Sequence, residues 1–339
     1  MHIEDKVSLR NHTTFKIGGD ADFFVTVQNT KELEEALAFA RERSLPYTIL
    51  GKGSNVLVSD EGIRGLVIKI GIEGIEFTDL ADERVRLSIG AGVVFDHVVI
   101  ECVGKGIWGI ENLSAIPGSM GATPVQNVGA YGVEIRDVLE SVEVYDTKKN
   151  ESRTLTLEEC EFGYRSSVFK TEKGKKYVIT KVNLVLTKKR APKLAYKDLA
   201  HFFKDTPEPA LIDIRNAVCS IRSKKFPDWR VVGTAGSFFK NPIIEPEKYA
   251  HLQKTYPELP GFPDGKGGVK IALGWILDKG LGLRGMCEGS VCTYEGQALV
   301  IVNRNTATAH DVTAFAENIF QQVKKVFDIE IEWEVTLLK

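Results

Sequence analysis

Between residues 106 and 132 the chain carries one charged side chain, Glu111, and glycine or proline recurs at positions 106, 109, 117, 118, 121, 124, 129 and 132. Proline removes a backbone donor and glycine weakens regular structure, so this stretch is neither an ordinary helix nor a central strand. Without a Cβ, glycine lets backbone N–H groups approach a ligand closely and take positive φ. Ser119, Thr123, Gln126 and Asn127 add neutral donors and acceptors. The combination suits a cradle for a large, flat, phosphate-bearing cofactor better than a metal or a simple anion. The competing reading is a set of tight turns.

A chain of 339 residues exceeds one ordinary core, so two or three domains are expected. A net charge of −2 gives no support to a nucleic-acid partner. No apolar run approaches membrane-spanning length, and the first residues lack the apolar core of a signal peptide. Neither membrane insertion nor secretion is expected. The five cysteines (Cys102, Cys160, Cys219, Cys287 and Cys292) form no C-x-x-C pair. A metal site and a disulfide framework are therefore not expected, and a reducing cytoplasm fits best.

The pattern predicts a strand over 23–27, then a helix over 31–43 with Leu33, Ala36, Leu37 and Ala40 on one face. Strands at 47–50 and 65–70 complete a β-α-β start. Strands over 85–89, 138–145 and 177–186, with a helix over 95–104, argue α+β for the middle of the chain. Helical spacing returns at Leu211, Ile214, Val218 and Ile221, and strongly at Val312, Phe315, Ile319, Val323 and Val326. Residues 233–298 read as loop-rich, and a last strand is expected from about Ile329 with Glu334 in it.

Residues 51–57 begin like a G-x-G-x-x-G fingerprint, but Val56 stands where the third glycine belongs. A glycine turn after a strand can still hold pyrophosphate through its N–H groups and the side chains of Ser54 and Asn55; a plain turn is the alternative. Residues 265–268 lack the spacing of a P-loop and read as a surface turn. Tyr164 and Arg165 lie in an aromatic, otherwise uncharged setting, where arginine can clamp a carboxylate or form a structural ion pair. Ser237 lies between Gly236 and two phenylalanines: a proton donor if desolvated, otherwise a turn residue. On a strand, Glu332 and Glu334 would share a face, normally a solvated one.

Together these segments resemble the flavin-dependent UDP-N-acetylenolpyruvoylglucosamine reductases of bacterial cell-wall synthesis. The matching stretches are residues 11–19, 50–57, 116–132, 162–165, 236–242 and 332–335, in the family's order and across almost the whole chain. The resemblance implies an α+β fold with an FAD-binding domain of the vanillyl-alcohol-oxidase / p-cresol methylhydroxylase type and a separate α+β substrate-binding domain. The segments implied are 1–72 and 73–208 for FAD, 209–325 for substrate, and 326–339 as a strand returning to the active site. FAD would be held non-covalently by Gly51, Gly53, Ser54, Asn55, Val56, Leu57, Pro117, Gly118, Ser119, Gly121, Ala122, Thr123, Gln126, Asn127, Gly129 and Tyr131.

By the same resemblance NADPH is the co-substrate and reduces the flavin, which in turn gives a hydride to C3 of the enolpyruvyl group. Arg165 would stabilise the growing enolate, Ser237 would protonate C2, and Glu334 would complete the arrangement. Tyr164, Tyr196, Lys225, Asn241 and Gln297 match substrate-binding positions, with Tyr196 in an added loop that closes over the UDP part. No metal is implied, small molecules are the partners, and a monomer is expected. Two departures from the family pattern are Lys52 in the first glycine loop and Trp333 before Glu334. The rival readings are a flavin oxidase of the same superfamily and a non-catalytic nucleotide-sugar binding protein.

Overall fold

The strand Tyr177–Thr187 buries Val178, Val182 and Leu184 and is flanked on both sides by antiparallel partners. In the computed structural model, which describes residues 1–339, it is the middle of a five-stranded sheet. The order is Glu151–Thr156, Leu139–Asp146, Tyr177–Thr187, Arg84–Gly90, Ile75–Asp79. A four-stranded sheet runs Glu4–Ser8, Asp20–Val27, Ile63–Ile70, Tyr47–Leu50, the last two parallel. The β-α-β start is thus present, with Ile63–Ile70 inserted next to its second strand. Helix Thr30–Glu42 buries the expected Leu33, Ala36, Leu37 and Ala40, and Asn29 caps it through the Glu32 N–H. Helix Phe95–Gly104 buries Phe95, Val98, Val99 and Cys102.

These elements belong to one of two units that interleave along the chain. It comprises Met1–Val7, Ala21–Lys52 and Arg64–Ser223. One apolar cluster, from Val25 through Leu66 and Leu87 to Leu184, serves both sheets. A satellite cluster joins Trp108 and Tyr131 to Leu199, Leu211, Ile214 and Val218. Most of helix Leu211–Lys225 therefore belongs with the glycine-rich segment rather than with the residues that follow it.

The second unit comprises Ser8–Asp20, Gly53–Ile63 and Lys224–Lys339. Its antiparallel sheet runs Gly233–Ser237, Gln297–Asn303, Val291–Tyr294, Cys287–Glu288. Helix Ala309–Phe327 starts at a capping box between Thr308 and Asp311, and Asp60 accepts from the N–H groups of Ala309 and His310 at 2.7 and 2.9 Å. It buries Val312, Phe315, Ile319, Val323 and Phe327 against Phe15, Phe238 and Phe239, whereas Val326 faces solvent.

Three expectations are corrected. Residues 233–298 are not mainly loop: they hold the helix Pro246–Thr255 and several strands, most too short to show a period. The last ladder is confined to Thr336–Leu338, parallel to Val56–Val58. Glu334 lies in a bend before it, so strand alternation does not place it beside Glu332, which is exposed and paired with Lys240. Finally, Cys287 and Cys292 form a disulfide. They are direct partners across a hairpin turned by Gly289 and Ser290, with Cα atoms 4.1 Å apart, and neither a C-x-x-C search nor a count of scattered cysteines reveals that pairing.

Asp96 at the start of helix Phe95–Gly104 is partly buried, which raises its carboxyl pKa. The Arg215 guanidinium at 2.8 and 3.0 Å, the Ala115 N–H and the charge of Arg222 outweigh burial and hold it below the ordinary carboxylate value. A depressed carboxylate contributes stability above its unfolded pKa and loses it as pH falls through the folded one. We expect Asp96→Asn to lower the urea midpoint at pH 7 and to leave a smaller loss between pH 5 and 3 than in the parent. An unchanged midpoint at pH 7 would show that the pair is not stabilising.

Candidate active site

In the first unit the glycine-rich segment is shaped by its own backbone and by one buried amide. The N–H groups of Met120 and Gly121 bond to the carbonyls of Val93 and Ala91, which seats residues 119–122 on the preceding chain. A Cβ on Gly121 would approach Ala91 Cβ to 2.6 Å, and one on Gly51 would approach Ser119 Oγ to 2.6 Å. Glycine is needed at 121, where the Ala91 backbone leaves no room; at 51 the Ser119 hydroxyl would have to turn away. Gly118 has φ +131, and Pro117 precedes it half-buried. Ala122 and Gln126 are also half-buried along this segment.

Two of the expected ligand-facing side chains turn inward. Thr123 Oγ1 donates to the Met120 carbonyl at 2.8 Å. Asn127 is fully buried: its Nδ2 donates to Glu134 and to the Gly163 carbonyl, and its Oδ1 accepts from the Arg136 N–H. These two side chains fold the cradle rather than line it.

The Asn127–Gly163 bond carries the segment to Arg165. Arg165 has φ +50, rests beside the Tyr164 ring at 5.6 Å, and donates to the Gly129 carbonyl at 3.1 Å. Ser167 anchors the same turn to the Val125 carbonyl at 2.6 Å. Tyr131 is buried, in the left-handed region, and meets the Tyr196 ring edge-on at 5.3 Å. Burial pushes its phenol up to about 12, opposed by Arg222, which hydrogen-bonds to it.

Arg222 was not singled out from sequence. On helix Leu211–Lys225 it donates to the Ala115 carbonyl at 3.2 Å, and burial lowers its guanidinium pKa. Its only sequence signal is a cation at helical spacing from Val218, on the edge of the apolar face.

In the second unit, Gly53 has φ +65, and a Cβ there would run into the His12 carbonyl and Thr13. Thr14 braces the turn by donating its N–H to the Gly53 carbonyl at 3.0 Å. The N–H groups of Gly53 and Ser54 take no part in the main-chain hydrogen bonding of the chain. They are the kind of donor a phosphate oxygen accepts from. Val56 and Leu57 continue into the strand Val56–Val58.

The same unit gathers Asn55, Ser237 and Glu334. Asn55 Nδ2 donates to the Glu334 carbonyl at 3.1 Å, and the Glu334 N–H donates to the Phe238 carbonyl at 2.8 Å. Trp333, one of the departures from the family pattern, packs on Phe238 at 4.9 Å and bridges to Phe239. Ser237 ends its strand half-buried after Gly236, whose φ is +78. Nearby in this unit, Asn241 accepts from the Leu273 N–H at 3.0 Å, and Gln297 Oε1 lies 2.9 Å from where a Cβ on Gly274 would stand. Both therefore flank one short helix, Leu273–Trp275. Lys225 follows Lys224, whose carbonyl abuts Gly296.

Comparison with known proteins decides what this geometry belongs to. Residues 227–338 match the family model of the UDP-N-acetylenolpyruvoylglucosamine reductase C-terminal domain, and 21–154 match an FAD binding domain. UDP-N-acetylenolpyruvoylglucosamine reductase from Pseudomonas aeruginosa is 37% identical over 99% of this chain and 99% of its own. The protein of that name from Escherichia coli is 38% identical over 98% of this chain and 95% of its own. The chain belongs to the UDP-N-acetylenolpyruvoylglucosamine reductase family. Members are FAD-dependent oxidoreductases, and the α+β fold with an FAD-binding domain and a separate C-terminal domain is as expected. The crystal structure of the reductase from Thermus caldophilus superposes with a TM-score of 0.70 at 26% identity, covering 100% of both chains.

The cradle fits FAD on its own chemistry: close-packed glycines, backbone N–H groups and neutral side chains, with no cluster of metal-ligating residues. Gly53→Ala tests the left-handed turn at that residue. Forcing a Cβ into the left-handed turn costs about 1 kcal/mol or more where φ is positive. The variant is expected to elute from gel filtration with clearly less flavin absorbance per protein than the parent, and parental flavin content would refute the turn's role.

Proposed function

We propose that this protein reduces the enolpyruvyl group of UDP-N-acetylglucosamine enolpyruvate to the lactyl ether of UDP-N-acetylmuramate, with NADPH as reductant. The carrying observation is that Asn55 and Phe238, the residue after Ser237, both bond to the Glu334 main chain in a chain that matches named reductases over 99% of its length. FAD, when bound, supplies the hydride chemistry that links NADPH to C3 of the enolpyruvyl group. In this reading Gly51, Gly53, Ser54, Asn55 and residues 117–131 hold it.

The remaining work is electrostatic and acid–base, and the chain supplies both. As C3 gains a hydride, negative charge grows at C2 and on the neighbouring carboxylate, so a cation there stabilises the transition state more than the ground state. Arg165 takes this role: its guanidinium, held by Gly129 and Tyr164, adds charge without needing to reorganise. Ser237 gives its hydroxyl proton to C2. A serine is a weak acid, so its proton is replaced from solvent after transfer; in this reading Glu334, whose N–H is tied to the Phe238 carbonyl, completes the electrostatic and hydrogen-bond arrangement. Lys225, Asn241 and Gln297 hold the nucleotide part, with Tyr164 and Tyr196 adding contacts to substrate. The protein works as a monomer in the cytoplasm in this reading.

The test is anaerobic and optical. NADPH should bleach the flavin, and the UDP-enolpyruvyl sugar should restore its colour. Ser237→Ala should leave bleaching within about twofold of the parent and slow recovery of colour by several orders of magnitude, because only the second step needs the proton. Equal slowing of both steps would remove Ser237 from the proton transfer. Tyr196→Ala should weaken binding of the UDP-sugar in a flavin-perturbation titration, with bleaching by NADPH less affected. An unchanged affinity would reject Tyr196 as a covering residue.

A further inference from the structure

Asn112 is fully buried, and none of the roles assigned above uses it. Its Nδ2 donates twice, to the Tyr131 carbonyl and to the Lys193 carbonyl, both at 2.8 Å. Its Oδ1 is buried without a hydrogen-bond partner. An arrangement that leaves the acceptor unmatched while satisfying both donors needs asparagine for its NH2 group. Aspartate has the same shape but would turn carboxylate oxygens toward two carbonyl oxygens. Leucine would leave both carbonyls without a donor.

The two carbonyls belong to different parts of the first unit. Tyr131 closes the glycine-rich segment. Lys193 lies in the irregular stretch between strand Tyr177–Thr187 and helix Lys197–Phe202, which also carries Tyr196. That stretch is largely exposed; its other ties are Leu194, packed on the Trp108–Tyr131 cluster, Arg190, which reaches the Pro209 carbonyl at 3.3 Å and the Trp108 ring at 5.9 Å, and the Lys193 ammonium 3.8 Å from Asp137. Tyr131 itself is held at three points: its carbonyl by Asn112, its ring by Tyr196 and its hydroxyl by Arg222.

We propose that Asn112 is a positioning residue that fastens the root of the Tyr196 segment, at the Lys193 carbonyl, to the cofactor segment at Tyr131. It sets the Tyr196 ring against Tyr131 and so tunes substrate affinity without touching substrate. The effect on affinity rests on reading Tyr196 as a substrate-covering residue; the fastening does not.

Limited trypsin digestion of the full-length protein tests the fastening directly. The peptide bond after Lys193 can be cut only if its carbonyl leaves Asn112 and enters the protease, although the lysine side chain is exposed. In the parent this bond should be cut about tenfold or more slowly than the bonds after the exposed Lys148 and Lys149 in the same digest. In Asn112→Asp the ratio should approach one, with cutting after Lys148 and Lys149 unchanged. Parental cutting after Lys193 as fast as at the reference lysines overturns the proposal. So does a folded Asn112→Asp protein with the parental ratio. If the variant is cut faster everywhere because it has lost its fold, the parental ratio alone decides.

In steady state, Asn112→Asp should raise KM for the UDP-sugar by about tenfold with kcat within about threefold, a split that general loss of folded enzyme does not produce. Accelerated cutting after Lys193, combined with a Tyr196→Ala protein of parental affinity, would sustain the fastening and sink the covering role of Tyr196. A parental cutting ratio in Asn112→Asp sinks the fastening whatever Tyr196→Ala does.

Discussion

The first unit depends on a carboxamide doing what a strand ladder does elsewhere. Residues 117–132 are too rich in glycine and proline to hold themselves in a sheet, and only the pairs Gly129–Ala130 and Val133–Glu134 form a short ladder. Asn127 replaces the missing ladder: buried, with φ +45, it gathers Glu134, the Gly163 carbonyl and the Arg136 N–H on one side chain. Buried polar groups that are fully matched rigidify the chain around them, because every alternative leaves one of them without a partner. Through that one amide the glycine-rich segment and the turn that carries Arg165 become a single piece of structure.

The charges inside this unit follow the same economy. Glu111, nearly fully buried, has its carboxyl pKa raised by burial, opposed by the Gly109 N–H it accepts at 2.7 Å. Arg222 bonds to a phenol and a carbonyl, with the Asp96 carboxylate close enough to oppose the effect of burial. Burial pushes the thiols of Cys102 and Cys160 up to about 12, so neither serves as a nucleophile near neutral pH.

Much of the fold was legible because long elements announce their period. Leu33, Ala36, Leu37 and Ala40, or Val312, Phe315, Ile319 and Val323, have one way to bury an apolar stripe. The strands of residues 233–294 were less legible, since two to five residues cannot distinguish a period of two from chance. For the candidate site, residue identity showed what each side chain can do but not where it stands. Ser237 and Glu334 could be named from their motifs, but the bend that presents Glu334 and the hydrogen bond that ties it to Phe238 could not. Thr123 and Asn127 were expected to face a ligand and instead brace the loop, because sequence records that a side chain can donate but not to whom. Asn112 and Arg222 went unnoticed for the same reason: their partners lie far along the chain.

The amino-acid order by itself determined the local facts: which of the longer stretches are helix or strand, and which side chains can carry charge or a proton. These follow from short-range sterics and periodicity, which a window of neighbours contains. Only the tertiary structure decided that residues 8–20 and 53–63 join 224–339 in one unit. It also decided that one amide can hold Tyr131 and Lys193 together. Such pairings are set by burial of surfaces contributed from distant parts of the chain, and no local window holds both partners.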